Sequence, residues 1–131
     1  FGTSTNLDVV SPNGEVLGGA LAAGIEISIE ALTSRAAQLR RGELVKPNNV
    51  IGKNTVEALQ SGTIYGFAGQ VDGLVSRIKM ELNELYPQAL GIKVVATGGL
   101  APLVVGISKE IEYHEPDLTL NGLRLIFERN S

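Results

Sequence analysis

Phe1-Gly2-Thr3-Ser4-Thr5-Asn6-Leu7-Asp8-Val9-Val10 places a glycine and a run of hydroxyl residues directly before an alternating apolar stretch. Glycine lets the backbone approach a ligand closely, and clustered hydroxyls and N–H groups can donate to phosphate oxygens. A strand would normally lead into such a turn. The chain is therefore expected to be the second part of a longer unit, cut where phosphate chemistry begins. Taken alone, a Gly-Thr-Ser string is also an ordinary turn.

Downstream, Ser11-Pro12-Asn13-Gly14 marks a corner before Glu15-Val16-Leu17 resumes extended character, so a β-hairpin with a tight Asn-Gly turn is expected. Gly18-Gly19 and Gly24 punctuate its exit. From Ile25 the period becomes helical, with Ile25, Ile29, Leu32, Ala36 and Leu39 on one stripe and Glu26, Glu30, Arg35 and Arg40 off it. After the loop Pro47-Asn48-Asn49, Asn54 reads as an N-cap with Glu57 placed to reciprocate. That helix should run to about Leu85, with a break near Gly62, and end at Tyr86-Pro87.

A short buried strand is expected over Ile92–Ala96, then a helix from about Ala101 to Ser108 with Pro102 in its first turn. Another strand is expected over Ile111–His114. Asp117 is placed to cap a last helix carrying Leu118, Leu120, Leu123, Ile126 and Phe127. The order is hairpin, helix, helix, strand, helix, strand, helix, which is an α/β arrangement: a mixed sheet flanked by helices.

The 131 residues suit one domain. Eleven basic residues against 14 acidic give a net charge of -3, and only Arg40-Arg41 are adjacent, which argues against a nucleic-acid surface. No apolar run approaches the roughly 18 residues a membrane span needs. Cysteine is absent, which excludes disulfides and thiolate metal sites and is compatible with the cytoplasm. The single His114 cannot build a histidine cluster and reads as a surface or edge-strand residue. Asp8 and Asp72 have no visible partner for acid–base work and take no role.

Three further segments could carry chemistry. Val94-Val95-Ala96-Thr97-Gly98-Gly99 would put bare backbone at the carboxyl edge of a sheet, where α/β proteins bind nucleotides, although it is neither a Walker loop nor a Gly-x-Gly-x-x-Gly turn. Gly52-Lys53-Asn54-Thr55 would place the Thr55 hydroxyl and free N–H groups in a first helical turn, facing a polar ligand. Gly62, Gly66, Gly69 and Gly73 line one helical face. Each such glycine weakens a helix by about 1 kcal/mol relative to alanine. A second backbone packed close by, from the same chain or another subunit, is the preferred reading over a ligand surface.

Each segment alone has a plain structural reading, but their order is specific. Phe1-Gly2-Thr3-Ser4-Thr5, Leu17-Gly18-Gly19-Ala20, Gly52-Lys53-Asn54-Thr55, Gly66-Phe67-Ala68-Gly69, Ala96-Thr97-Gly98-Gly99-Leu100-Ala101 and Asp117-Leu118-Thr119-Leu120-Asn121-Gly122-Leu123 together resemble the C-terminal half of a type III pantothenate kinase. The resemblance runs over essentially the whole chain and about half of the family's usual length. It implies a ribonuclease H-like domain of the actin-like, sugar-kinase ATPases, its first strand largely missing. Residues 1–131 would then be the C-terminal nucleotide- and pantothenate-binding domain.

The implied activity is ATP-dependent phosphorylation of pantothenate to 4'-phosphopantothenate, the first step of coenzyme A synthesis, with Mg2+ and a monovalent cation, K+ or NH4+. By the same resemblance Gly2, Thr3 and Ser4 form the phosphate turn, Thr97, Gly98 and Gly99 match the adenosine motif, and Thr55 binds pantothenate. A cytoplasmic homodimer is implied, with the Gly62/Gly66/Gly69/Gly73 face as its contact. The catalytic aspartate and first phosphate motif would lie in the N-terminal half, and a cation-binding aspartate just before Phe1. Residues 1–131 alone are therefore expected to be inactive. Ala23-Gly24 stands where many relatives have Pro-Gly, which reads as a minor change. The competing readings are a non-catalytic nucleotide-binding regulator of the same fold and a dimerisation module.

Overall fold

The computed structural model describes residues 1–33 and 43–131. Two small sheets and four helices follow in the order β1 (Ser4–Val10), β2 (Val16–Ala23), α1 (Ile25–Thr33), α2 (Thr55–Leu85), β3 (Val95–Ala96), α3 (Pro102–Val105), β4 (Tyr113–His114) and α4 (Leu118–Asn130). The mixed α/β reading holds. Of the helix expected from Ile25, the stripe residues Ala36 and Leu39 and the off-stripe Arg35 and Arg40, like Arg41 of the basic pair, lie outside the described residues.

β1 and β2 form the antiparallel hairpin, paired from Ser4↔Ala23 to Asp8↔Gly19, with a bulge between Val9 and Val10. Its corner is wider than the expected Asn-Gly turn. Ser11 closes it: the Ser11 N–H donates to the Glu15 carbonyl (2.8 Å), and the Ser11 hydroxyl accepts from the N–H groups of Asn13 (3.2 Å) and Glu15 (3.1 Å). Pro12 has no N–H to give a ladder, so pairing closes outside it.

α2 is the spine of the chain. Asn54 caps it with extended backbone and a side-chain oxygen that accepts from the Glu57 N–H at 2.9 Å. Glu57 reciprocates, although onto the Lys53 N–H (2.8 Å) rather than that of the cap itself. Ser61, Ile64, Ala68, Val71 and Val75 are buried along one face, at the alternating spacing of three and four that a core-facing stripe requires. The expected break near Gly62 does not occur. Burial of that stripe holds the helix continuous to Leu85, where the Tyr86 N–H still bonds the Leu82 carbonyl.

The glycine row lies on the opposite side of the helix. Gly62, Gly66, Gly69 and Gly73 are all exposed, and a methyl group added at any of them meets only open space. The expected close packing within the same chain is therefore not found among the described residues.

Ile25, Ala68 and Val104 form the core cluster, tying α1, α2 and α3 together, with Phe1, Leu100 and Ile111 packed around it. Leu32, expected on the same stripe as Ile25, is exposed. β3 and β4 pair in parallel, Val95↔Tyr113 and Ala96↔His114. Both are shorter than the expected strands, because each meets its partner over only two residues. The expected helix from Ala101 to Ser108 is a single turn, Pro102–Val105, and its Val104 and the preceding Ala101 are fully buried.

Asp117 precedes α4 but its side chain makes no capping hydrogen bond; its backbone, at φ -99° and ψ 17°, is not extended as a cap's usually is, and its carbonyl accepts from the Asn121 N–H (2.9 Å). No residue of α4 is buried. Among the described helices none is long and apolar enough to cross a membrane.

Asp72, which the sequence left without a role, docks the loop after α3 onto α2. It accepts from the Ser108 hydroxyl (2.5 Å), the Lys109 N–H (2.9 Å) and the Glu110 N–H (3.2 Å). Lys79, one further stretch along α2, pairs with Glu110 at 2.6 Å. Partial burial alone would raise the Asp72 pKa, but the bonds from Lys109, Ser108 and Glu110, with the Lys109 charge, outweigh it and hold the carboxyl below its ordinary value of 3.8. A depressed folded-state pKa stabilises the fold fully above the ordinary value, and that stabilisation is lost as the pH falls through the lower one. Asp72→Asn in the full-length protein should cost about 1–3 kcal/mol at neutral pH. In urea unfolding the gap from wild type should narrow below pH ~4; a gap that is constant with pH would contradict an ionised anchor.

Candidate functional site

The two segments singled out for nucleotide chemistry, 94 residues apart at Thr3 and Thr97, meet through backbone. The Phe1 nitrogen donates to the Thr97 carbonyl at 2.9 Å, and the Leu100 N–H donates to the Phe1 carbonyl at 3.3 Å. Phe1 thus runs alongside the end of β3 as a neighbouring strand would. Gly98 sits at φ +101°, and a methyl group there would collide with the Phe1 carbonyl. This position needs glycine twice over, for its left-handed backbone and for the close approach.

Gly24 bounds the same segment from the α1 side. A methyl group on it would strike the carbonyls of Thr3 and Gly2. The turn is thereby held between two glycines, one from each flank. Nothing in the local sequence around Gly24 marks its contact with Thr3. Within the turn, the Gly2 N–H donates to the Ser4 carbonyl at 3.1 Å. The hydroxyl of the buried Thr5 is spent on the carbonyl of the exposed Ala23 (3.3 Å). Gly2, Thr3 and Gly99 are exposed along this edge, while Ser4, Thr97 and Gly98 are half-buried. The edge therefore offers a hydroxyl and bare peptide groups with no charged side chain among its six expected residues, a surface suited to neutral hydrogen bonding of phosphate oxygens.

Thr55 occupies the first helical position of α2 and is exposed. Beside that helix start lies an open cavity of about 300 Å³, lined mainly by Lys46, Asn48, Asn49, Lys53, Glu57 and Gln60. Its rim is built by side chains of α2 that hold the preceding loop: Gln60 donates to the Glu43 carbonyl (2.6 Å), Ser61 to Val50 (2.5 Å) and Tyr65 to Pro47 (3.2 Å). Thr55 and the glycine-bounded edge both lie outside the lining of this cavity. His114 sits half-buried on β4, and its Nε2 is enclosed and has no hydrogen-bond partner among the described residues. No group of three or more His, Asp or Glu that could hold a metal occurs among the described residues.

Comparison with known proteins bears on the order of these segments. The family model described as type III pantothenate kinase matches residues 1–77, more than half the chain and including Gly2, Thr3, Ser4, Gly24 and Thr55. The chain belongs to the type III pantothenate kinase family.

Relatives carrying that name match throughout. The protein of Saccharopolyspora erythraea is 65% identical over 130 residues, 99% of this chain and 48% of its own length. The proteins of Frankia alni and Streptomyces griseus are 64% and 61% identical over the same share of this chain. The chain spans about half the length of these type III pantothenate kinases. Among solved structures, a conserved putative Baf family transcriptional activator from Campylobacter jejuni superimposes with a TM-score of 0.66 at 19% identity, over 98% of this chain and 55% of that one. That likeness is one of fold.

The geometry makes two glycines unequal. Gly98→Ala in the full-length protein should destabilise it by about 1–3 kcal/mol, through left-handed strain and the clash with Phe1. Gly106→Ala, where a methyl group meets open space, should be tolerated. Equal thermal unfolding midpoints for the two variants would show that Phe1 does not pack against Gly98.

Proposed function

We propose that this chain is the C-terminal nucleotide- and pantothenate-binding domain of a type III pantothenate kinase, which transfers the γ-phosphoryl group of ATP to the hydroxyl of pantothenate and so opens coenzyme A synthesis. The observation that carries this reading is the backbone meeting of the Phe1–Thr3 turn with Thr97–Leu100, in a chain of this family. Phosphoryl transfer needs positioning and charge neutralisation more than covalent chemistry from the protein. In this reading Gly2, Thr3 and Ser4 hold the β- and γ-phosphates, the Thr3 hydroxyl donating to them. Thr97, Gly98 and Gly99 form the platform for the adenosine. Thr55 holds pantothenate with its hydroxyl and with the free N–H groups of the first turn of α2.

The domain is read as ribonuclease H-like, of the actin-like ATPase kind, with the base that deprotonates the accepting hydroxyl supplied by the other half of the protein. Mg2+ and a monovalent cation, K+ or NH4+, belong to this reading; no group of three or more His, Asp or Glu that could hold a metal occurs among the described residues, and no step here is routed through either ion. A cytoplasmic homodimer completes the reading, joined at the Gly62/Gly66/Gly69/Gly73 face, which is exposed and lacks side chains that would keep a second helix away.

A coupled assay on the full-length protein should show pantothenate-dependent ADP release with magnesium and potassium present; its absence would defeat the proposal. Thr55→Val should raise the KM for pantothenate about tenfold or more, the worth of a lost hydrogen bond to a charged group, with the KM for ATP little changed. Equal losses for both substrates would remove Thr55 from the pantothenate site.

A further inference from the structure

Residues 44–54 form no helix or strand, yet α2 holds them at spaced points. Gln60, Ser61 and Tyr65 donate to the carbonyls of Glu43, Val50 and Pro47, and the Glu57 carboxylate accepts from the Lys53 N–H. Gly52 runs so close to α2 that a methyl group on it would collide with the backbone of Glu57 and Ala58. Pro47 is buried. The cavity of about 300 Å³ beside the start of α2 is therefore a standing feature of a pinned loop, lined by that loop and by α2. Its volume falls at the lower end of the range for small-molecule sites, about 300–1,000 Å³.

The lining carries a surplus of donors. Lys46 and Lys53 share it with one carboxylate, Glu57, which already accepts from the Lys53 N–H at 2.8 Å. Neither lysine ammonium forms an ion pair among the described residues. The Gln60 amide is spent on Glu43, whereas the side chains of Asn48 and Asn49 bond no other group of the described residues. Two cationic donors and two amide donors thus stand without acceptors, in a chain whose net charge is -3. Ammonium and amide groups left over in this way select oxygen acceptors that carry negative charge. Ile51, 82% exposed, and Pro47 add an apolar wall. An inorganic anion leaves that wall unused, and an acid with an aliphatic body covers it.

We infer that this cavity binds a small organic anion, a carboxylate or phosphate monoester head on a short aliphatic body. Lys46 and Lys53 hold the head with the amides of Asn48 and Asn49, and the body lies on Ile51 and Pro47. Thr55 and the glycine-bounded edge lie outside the lining, so this site is separate from both substrate regions and does not rest on the kinase reading.

The experiment follows the amide signals of the nitrogen-labelled full-length protein during titration with n-butyl phosphate and with butyrate. Inorganic phosphate supplies the head alone, and sodium chloride at matched ionic strength supplies the screening control. The account expects saturable movement of the Asn48, Asn49 and Lys53 signals with at least one of the two organic anions, the tighter of them naming the head. Inorganic phosphate should bind several-fold more weakly. Lys46→Met combined with Lys53→Met, which keeps the aliphatic stems, should weaken binding about tenfold or more, the worth of a charge-assisted hydrogen bond, with the unfolding midpoint unchanged. Shifts that sodium chloride reproduces, or equal affinity in the double variant, would overturn the proposal, and the wild-type titration decides it even if that variant folds poorly. Pantothenate that displaces the bound anion while moving the Thr55 signal would merge the cavity with the substrate site and overturn its separateness. Failure of the ADP assay would remove the kinase reading and leave this site standing.

Discussion

Phe1 lies against Gly98 through peptide groups, and the arrangement of the site depends on that contact. The Thr97 carbonyl and the Leu100 N–H both bond Phe1, one on each side of Gly98. A Cβ at position 98 would run into the Phe1 backbone, so glycine is required where the two segments cross. Gly24 imposes the same condition from the other side, against the Thr3 carbonyl. The turn that carries Gly2 and Thr3 is thus bounded by close backbone approaches on both flanks. In the proposed reading it would present preorganised donors to phosphate, which avoid reorganisation when charge is bound.

α2 makes that local arrangement possible. Its buried stripe supplies Ala68 to the core cluster with Ile25 and Val104, which sets the start of α1, and so Gly24, against α3, and so the end of β3. Its polar side chains hold the loops on either side. Ser61, Tyr65 and Gln60 fix the segment ahead of Thr55, while Asp72 and Lys79 fix the segment between α3 and β4. One helix thereby sets the positions of both candidate ligand regions, although they lie at different places along it.

Features governed by neighbours along the chain were legible in the sequence. The hairpin, the Asn54 cap answered by Glu57, and the end of α2 at Tyr86 all follow from local hydrogen bonding and steric rules. Features governed by distant partners were not. Asp72 finds Ser108 across 36 residues, and Gly24 finds Thr3 only after the hairpin has closed. The lengths of β3 and β4 depend on how far two separate strands run together, which neither strand encodes by itself. Gly98 was singled out for offering bare backbone to a nucleotide; the structure adds that the Phe1 carbonyl also requires it. The glycine row shows the limit most clearly, since among the described residues nothing packs against it.

Membership in the type III pantothenate kinase family agrees with the proposed reading of an edge of hydroxyls and bare peptide groups. The central physical claim is that one nucleotide spans both turns. Amide chemical shifts of the full-length protein, followed during titration with adenosine and then with a non-hydrolysable ATP analogue, test it most directly. The account predicts that adenosine moves the Gly98 and Gly99 signals, and that the triphosphate moves those of Gly2 and Thr3 as well, at the same saturation. Signals of Gly2 and Thr3 that stay in place while the analogue binds would contradict it.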